Sequence, residues 1–390
     1  MRYGWVTLIR GPPDVNEEEG RVATALCWDD RFATHDMGRG AMYLPVEGLI
    51  EDDVHVDNTA RIVRTRNLIR NAGLDHVLRV EAPREATVEE LLRVHSPEHV
   101  ANMKLESGKD EGDAGGGYTP MDSRSYGLAL LSAGSALTAL ELVLGGNVAN
   151  AHAMLRRSGH HAWRDSGYGF CIFNNCAVVA RAAQAALGLR RVAIVDIDAH
   201  HGNGSEWIFA SDPSVLTISI HQDRGFPSDT GLVEHVGEGD GIGTNVNINL
   251  PAGTGDPGYH YALDRIVLPS LREFGPELIV VASGVDASLF DPLSRRAVTA
   301  TGFAGVAERL LAVADEVCGG RLVSVQEGGY SHVYAPFCWL AIVETLARVE
   351  RHSDPFEPFV AEQACCREFA PWQREAINDQ AAFHARYWPL

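Results

Sequence analysis

The chain has 390 residues, 45% hydrophobic and 22% charged, which is the balance of an ordinary globule and enough chain for one large domain. Its formal charge of −19 disfavours direct nucleic-acid binding, since such surfaces are basic. No run approaches the ~18 apolar residues of a membrane span, the N-terminus lacks an apolar signal stretch, and seven scattered cysteines without a CxxC pair predict reduced thiols in the cytoplasm, not a disulfide framework.

Taken in order, residues 1–58 are rich in Gly, Asp and His and read as an irregular N-terminal loop segment. Apolar spacing predicts a helix over Thr59–Asn71, with Gly73 as its C-terminal stop. Thr87–Val94 opens with a capping-box pattern, Thr87 and Glu90, and Ser96–Lys104 opens with Ser-Pro. The loop Lys109–Gly117 is either a linker or a rim loop. Helical patterns follow at Ser125–Gly145, Asn175–Leu187, Pro257–Phe274, Gly302–Cys318 and Ala335–Val349. Short β-rich runs alternate with them at His152–Arg156, Val192–Val195, Val215–Ile220, Val246–Leu250, Leu278–Ala282 and Leu322–Val325. This alternation predicts an α/β fold: one three-layer domain over 1–390, with a mainly parallel sheet and helices on both faces, and 351–390 as a C-terminal extension.

The most informative stretch is Val192–Gly204, VAIVDIDAHHGNG. A fully apolar run reads as a strand buried on both faces, and ligand-type residues crowd its C-terminal end, where open α/β sheets place their sites. Asp196, Asp198 and His200 fall at i, i+2, i+4, so an extended chain projects all three to one side. Two carboxylates and an imidazole are a start on a divalent-ion site, although the motif alone also suits structural histidines and a cap.

Two later strands repeat this grammar. LIVVASGVD ends in Asp286, which is either another strand-end carboxylate or a helix cap. LVSVQEGGY ends in Glu327, two glycines and Tyr330, placing a phenol over a pocket or on a surface turn. Gly159-His160-His161 follows the short run near residue 155, and adjacent histidines point in different directions. In GYGFCIFNN, Gly169 permits close backbone approach and Phe170 walls a narrow pocket or belongs to the core.

GHHA, GFCIFNN, DIDAHHGNG, SGVDASLFDPL and QEGGY, in this order, resemble the histone deacetylase family of the arginase/deacetylase superfamily. HHGNG looks like the class II branch, and the chain is similar to bacterial histone deacetylase-like amidohydrolases, strongly from about Val94 to Phe337. The resemblance implies about eight strands and one Zn²⁺ held by Asp198, His200 and Asp286. It implies His161 as general base, His160 as the second histidine held by Asp196, Asn203 orienting His161, and Tyr330 as oxyanion donor. Phe170 and Phe226 would flank an acyl-lysine channel, with Gly169 and Leu293 beside it. A structural K⁺ would lie on Asp196, Asp198, His200, Ser219 and Ile220, several through main-chain oxygens, and a second cation near Phe209, Asp212 and Val215. The substrate would be an acetylated lysine side chain or a small acylated amine; a homo-oligomer, dimer or tetramer, stays open.

The chain also departs from the family pattern. Arg156-Arg157-Ser158 stands where Arg-Pro-Pro is usual, which bears on loop stiffness. His55-Val56-Asp57-Asn58 replaces the N-terminal His-Pro-Glu-type motif. Leu293 follows Asp291-Pro292, where polyamine-selective relatives can carry a Glu. Three rival readings are a two-metal ureohydrolase, an acetylpolyamine deacetylase and a non-catalytic acyl-lysine binder. The first requires a second Asp at Gly284 or Ser288, and the third a broken catalytic set.

Overall fold

The structure, a computed structural model, describes residues 24–390 except 36, 43, 45–47 and 118. Its frame is an eight-stranded, wholly parallel sheet built from β1 (Thr24–Cys27), β2 (Arg79–Glu81), β3 (Asn150–Ala153), β4 (Val192–Asp196), β5 (Val215–Gln222), β6 (Asn245–Leu250), β7 (Leu278–Ser283) and β8 (Leu322–Gln326). The strand order is β6-β5-β4-β7-β8-β3-β1-β2.

Successive side chains on the central strands feed opposite faces. Val192 and Ile194 of β4, with Leu278 and Val280 of β7, join the core under helices Ser125–Leu144 and Asn175–Leu187. Ala193, Val195, Ile279 and Val281 join the core under helices Ala300–Cys318 and Ala335–Leu346. This double burial explains the unbroken apolar runs. Helix Ser125–Leu144 is long and apolar enough to cross a membrane, contrary to the sequence reading, but 78% of its most apolar stretch is buried inside the molecule.

The expected helices and six of the strands recur, most within a few residues of the predicted bounds. Three corrections stand out. The segment 1–58, read as irregular, contains β1, buried and paired with β2 and β3; residues 1–23 of it lie outside the described residues. TALC is too short to show a period, so only its neighbours identify it. β2, RVE, was likewise missed. The run Pro257–Phe274 divides into Asp256–Ala262, a π-helical turn Leu263–Val267, and Leu268–Phe274. Pro269 has no N–H for the α-helical ladder, and the widened turn just before it absorbs the mismatch.

The C-terminal extension covers the open edge of the sheet. From helix Pro371–His384, the Gln380 side chain accepts from Asn249 N–H (2.7 Å) and donates to Asn249 C=O (2.8 Å), while His384 Nε2 meets Asn247 C=O at 3.0 Å. Bonds of this kind occupy groups that an edge strand otherwise offers to another chain.

The topology places the site. After β4 the chain moves outward to β5 and β6, then returns to β7 and proceeds the other way to β8. The crevice beyond the C-terminal ends of β4 and β7 is therefore a topological switch point, where open sheets bind ligands.

Candidate active site

Asp198 and His200 follow β4, and Asp286 follows β7. His200 Nδ1 lies 3.0 Å from Asp198 Oδ1 and 2.9 Å from Asp286 Oδ2. The three donor groups converge within 4.8 Å of one another. Backbone donors aim the carboxylates: Gly328 N–H donates to Asp198 Oδ2 (2.9 Å), His200 N–H to Asp198 Oδ1 (2.9 Å) and Ala199 N–H to Asp286 Oδ1 (2.7 Å). Burial and the neighbouring Asp198 charge push the Asp286 carboxyl up to about 6. Two buried carboxylates that repel each other around one imidazole match the hard and borderline donors a divalent ion requires.

The His160 and His161 rings lie 4.0 Å apart between centres, tilted by 38°, but have different partners. His160 Nδ1 lies 2.9 Å from Asp196 Oδ2. Burial opposes charge on His160, but the carboxylates of Asp196 and Asp198 outweigh it and push the imidazole up to about 10. His161 Nδ1 donates to Asn203 Oδ1 at 2.8 Å, which leaves its Nε2 as the basic nitrogen. Burial, then the charges of His160 and His200, hold His161 well below the ordinary histidine range. The pair is thus split into a charged and a neutral member, the separation that acid–base chemistry uses.

Gly159 and His160 donate their N–H groups to Glu327 Oε2 at 2.7 and 3.3 Å, pinning the histidine loop to the end of β8. Burial lifts the Glu327 carboxyl to about 8.

Tyr330 is 7% exposed. It follows Gly329, whose φ of 144° and close approach to Val285 and Trp339 exclude a side chain. Its ring lies 5.7 Å from Phe170 and 6.5 Å from His200. Tyr330 N–H donates to Asp291 Oδ2 (2.7 Å), and Asp291 Oδ1 accepts from Leu293 N–H (2.9 Å). Met37, Phe170 and Tyr330, with Val56 and Leu293 packed against them, form an apolar cluster separate from both cores. Opposite, the Phe226 ring meets His161 edge-on at 5.1 Å and stacks on Tyr168 at 5.2 Å. A side chain at Gly169 (φ 52°) would strike His161 and Phe226. Ser219 pairs in register with Asp196, with Ile220 next along β5.

The residues assigned above to zinc, potassium, catalysis and the channel lie at or beside this crevice, whereas Phe209, Asp212 and Val215 of the second cation site lie near the start of β5. Sequence reasoning missed the charged layer beneath Tyr330. Asp57 pairs with Arg61 (2.8 Å) and Arg156 (2.7 Å), and the Arg61 guanidinium lies 5.6 Å from the Tyr330 ring centre. Asp57 was visible only as a departure from the family motif, and its contact to Arg156 spans 99 positions. Asp291 was noted only as the residue before a proline.

The histone deacetylase domain matches residues 55–346. The chain belongs to the histone deacetylase family. This histone deacetylase-family hydrolase is 41% identical over 367 residues to the histone deacetylase-like amidohydrolase of Pseudomonas aeruginosa, covering 92% of this chain and 95% of that one. It is 36% identical over 351 residues to a probable deacetylase of Archaeoglobus fulgidus (87% and 95% covered). It is 33% identical over 384 residues to the polyamine deacetylase HDAC10 of Homo sapiens, covering 95% of this chain and 52% of that protein. A crystal structure of the HDA15 HD domain superposes with a TM-score of 0.80 at 29% identity, over 94% of this chain and 95% of the other.

Proposed function

We propose that this chain is a zinc-dependent amidohydrolase that removes acetyl groups from N-acetyl-lysine or similar acylated primary amines. The observation that carries the reading is the convergence of Asp198, His200 and Asp286 beneath a neutral His161 and beside Tyr330. The buried, mutually repelling donor set fits one Zn²⁺. When bound, the ion supplies a Lewis acid that polarises an amide carbonyl and acidifies water. The residues supply the rest. His161 Nε2 accepts a proton from the attacking water. The Tyr330 phenol donates a hydrogen bond to the oxygen on which negative charge develops. His161, with the charged His160 beside it, returns a proton to the departing amine nitrogen. Asp196 holds the His160 ring, and Asn203 fixes the His161 tautomer without adding charge. Asp196, Asp198, His200, Ser219 and Ile220 would hold the structural K⁺, an oxygen-rich set at the ends of two adjacent strands.

Gly284 opposes a two-metal ureohydrolase: a Cβ there would lie 2.0 Å from Asp198 Oδ2, so no carboxylate fits at that position, and the other place holds Ser288, which is not a carboxylate. The relationship to a polyamine deacetylase favours acetylpolyamines as a second reading. Against it, Leu293 adds only an apolar contact at the rim. The loop Lys109–Gly117 carries Asp110, Glu111 and Asp113, any of which could supply a carboxylate; Asp113 is used by its own loop, where Oδ1 accepts from Gly115 (2.7 Å) and Gly117 (3.2 Å) and Oδ2 from Thr119 (2.9 Å), while Asp110 and Glu111 are exposed. A selective polyamine site needs a carboxylate free to pair with ammonium.

Metal analysis together with kcat/KM on an acetyl-lysine peptide and on N-acetylspermidine tests the proposal. We expect one Zn²⁺ per chain, lost in Asp286→Ala, and preference for the peptide. Two Mn²⁺ per chain would restore the ureohydrolase reading. A tenfold preference for the polyamine would replace the lysine reading with the second one.

A further inference from the structure

Arg157 replaces a customary proline and is buried at 1% exposure among neutral acceptors. Its guanidinium donates to Phe170 C=O (3.4 Å), to Ser125 Oγ (3.3 Å) and to the Pro120 carbonyl, while Nε has no partner among the described residues. Its neighbour Arg156 pairs with Asp57, but no ion pair involves Arg157 among the described residues. A buried guanidinium without a carboxylate costs stability, so its place is better explained by what it touches than by what it stabilises.

What it touches is one wall of the site. Phe170 has a φ of 72°, a region that bulky residues rarely occupy, so its surroundings must hold it there. Both of its backbone polar groups are held: Thr119 Oγ accepts the Phe170 N–H (3.1 Å), and Arg157 takes the C=O. Thr119 and Pro120 belong to one loop, anchored by Asp113 and by Gly167 N–H donating to Ala114 C=O (3.1 Å). The wall and its supporting loop are thus stitched together through Arg157 from behind. The Phe170 ring then stands edge-on to Tyr330 and, at 5.1 Å, to His55.

We propose that Arg157 is a specificity-determining positioning residue that sets the Phe170 wall against which the substrate's methylene chain packs. This rests on the deacetylase reading above. Arg157 touches neither the proton-transfer groups nor the phenol, so its loss acts on substrate fit and leaves the chemistry in place.

The test compares Arg157→Met and Arg157→Lys with the parent zinc enzyme. For an acetyl-lysine peptide, Arg157→Met is expected to raise KM roughly tenfold, the equivalent of about two buried methylenes. kcat and zinc content should be kept, and the melting temperature should change little, since relief of a buried charge is set against three lost hydrogen bonds. Arg157→Lys, which retains a donor, should recover part of KM. Amide hydrogen exchange over residues 168–171 should accelerate in the Met variant and recover in the Lys variant. An unchanged KM with unchanged exchange overturns the proposal. So does a joint loss of kcat, KM and melting temperature in both variants, the signature of a merely structural role. The exchange measurement decides the positioning role even if the parent proves inactive on acetyl-lysine peptides, an outcome that would overturn the deacetylase reading separately.

Discussion

Tyr330 and Asn203 show how single residues divide the chemistry. Replacing Tyr330 with Phe keeps the ring packed against Phe170 and removes only the donor, so zinc content should hold while kcat falls ~10²–10³-fold. A variant within a few-fold of the parent in a steady-state assay would place the phenol outside the reaction. Asn203 accepts the His161 Nδ1–H while its own Nδ2 has no partner among the described residues. Asn203→Asp replaces that idle donor with negative charge, which favours the imidazolium and raises the pKa of His161. A general base works above its pKa, so the acidic limb of the kcat/KM profile should move upward by about 1–2 pH units. An unmoved limb would remove His161 from the role of base.

Secondary-structure elements carry the site at a distance. Helix Ala300–Cys318 is a large part of one core, and its N-cap is Thr299. The Thr299 hydroxyl accepts from Gly302 N–H (2.9 Å) and donates to Asp256 Oδ2 (2.7 Å), so one side chain caps this helix and ties it to the start of helix Asp256–Ala262. Thr299→Ala should cost about 1–2 kcal/mol in urea unfolding. Because Thr299 touches none of the groups at the crevice, kcat/KM at 25 °C should stay within twofold. A loss of activity without a loss of stability would contradict this division. The same logic applies to Gln380 and His384, whose bonds cover β6 far from the crevice.

Over the whole molecule, the site stores electrostatic strain that an ion relieves. The Asp286 carboxyl is raised above its ordinary value to about 6. A raised folded-state pKa contributes stability that is present at low pH and lost as pH climbs through the folded value. Metal binding requires the ionised form, so the ion offsets a cost that grows with pH. Despite the burial of His200, the Asp286 and Asp198 carboxylates hold its imidazole well above the ordinary histidine range, and the ion must displace that proton too. The melting-temperature gap between zinc-loaded and chelator-stripped protein should widen from about pH 4 through about pH 6 and go on widening above it while His200 still carries its proton. A gap independent of pH would show that Asp286 does not face the ion.

What the sequence determined by itself was whatever is encoded locally. Central strands buried on both faces are apolar at every position, so Val192–Asp196 and Leu278–Ser283 were legible, as were the caps at Thr87 and Ser96. Ordered motifs at four strand ends, through the family they resemble, were enough to nominate Asp198, His200, Asp286, His161 and Tyr330. Tertiary structure alone decided the rest. β1 is four residues with no period, a strand only because β2 and β3 flank it. Arg61 reads as one more charge on a surface helix until its guanidinium meets the Glu327 carbonyl 266 positions away. The burial of Arg157 behind Phe170 likewise has no local signature. Hydrogen bonds and burial between distant segments depend on where the sheet brings them, and no residue's near neighbours in the chain record that.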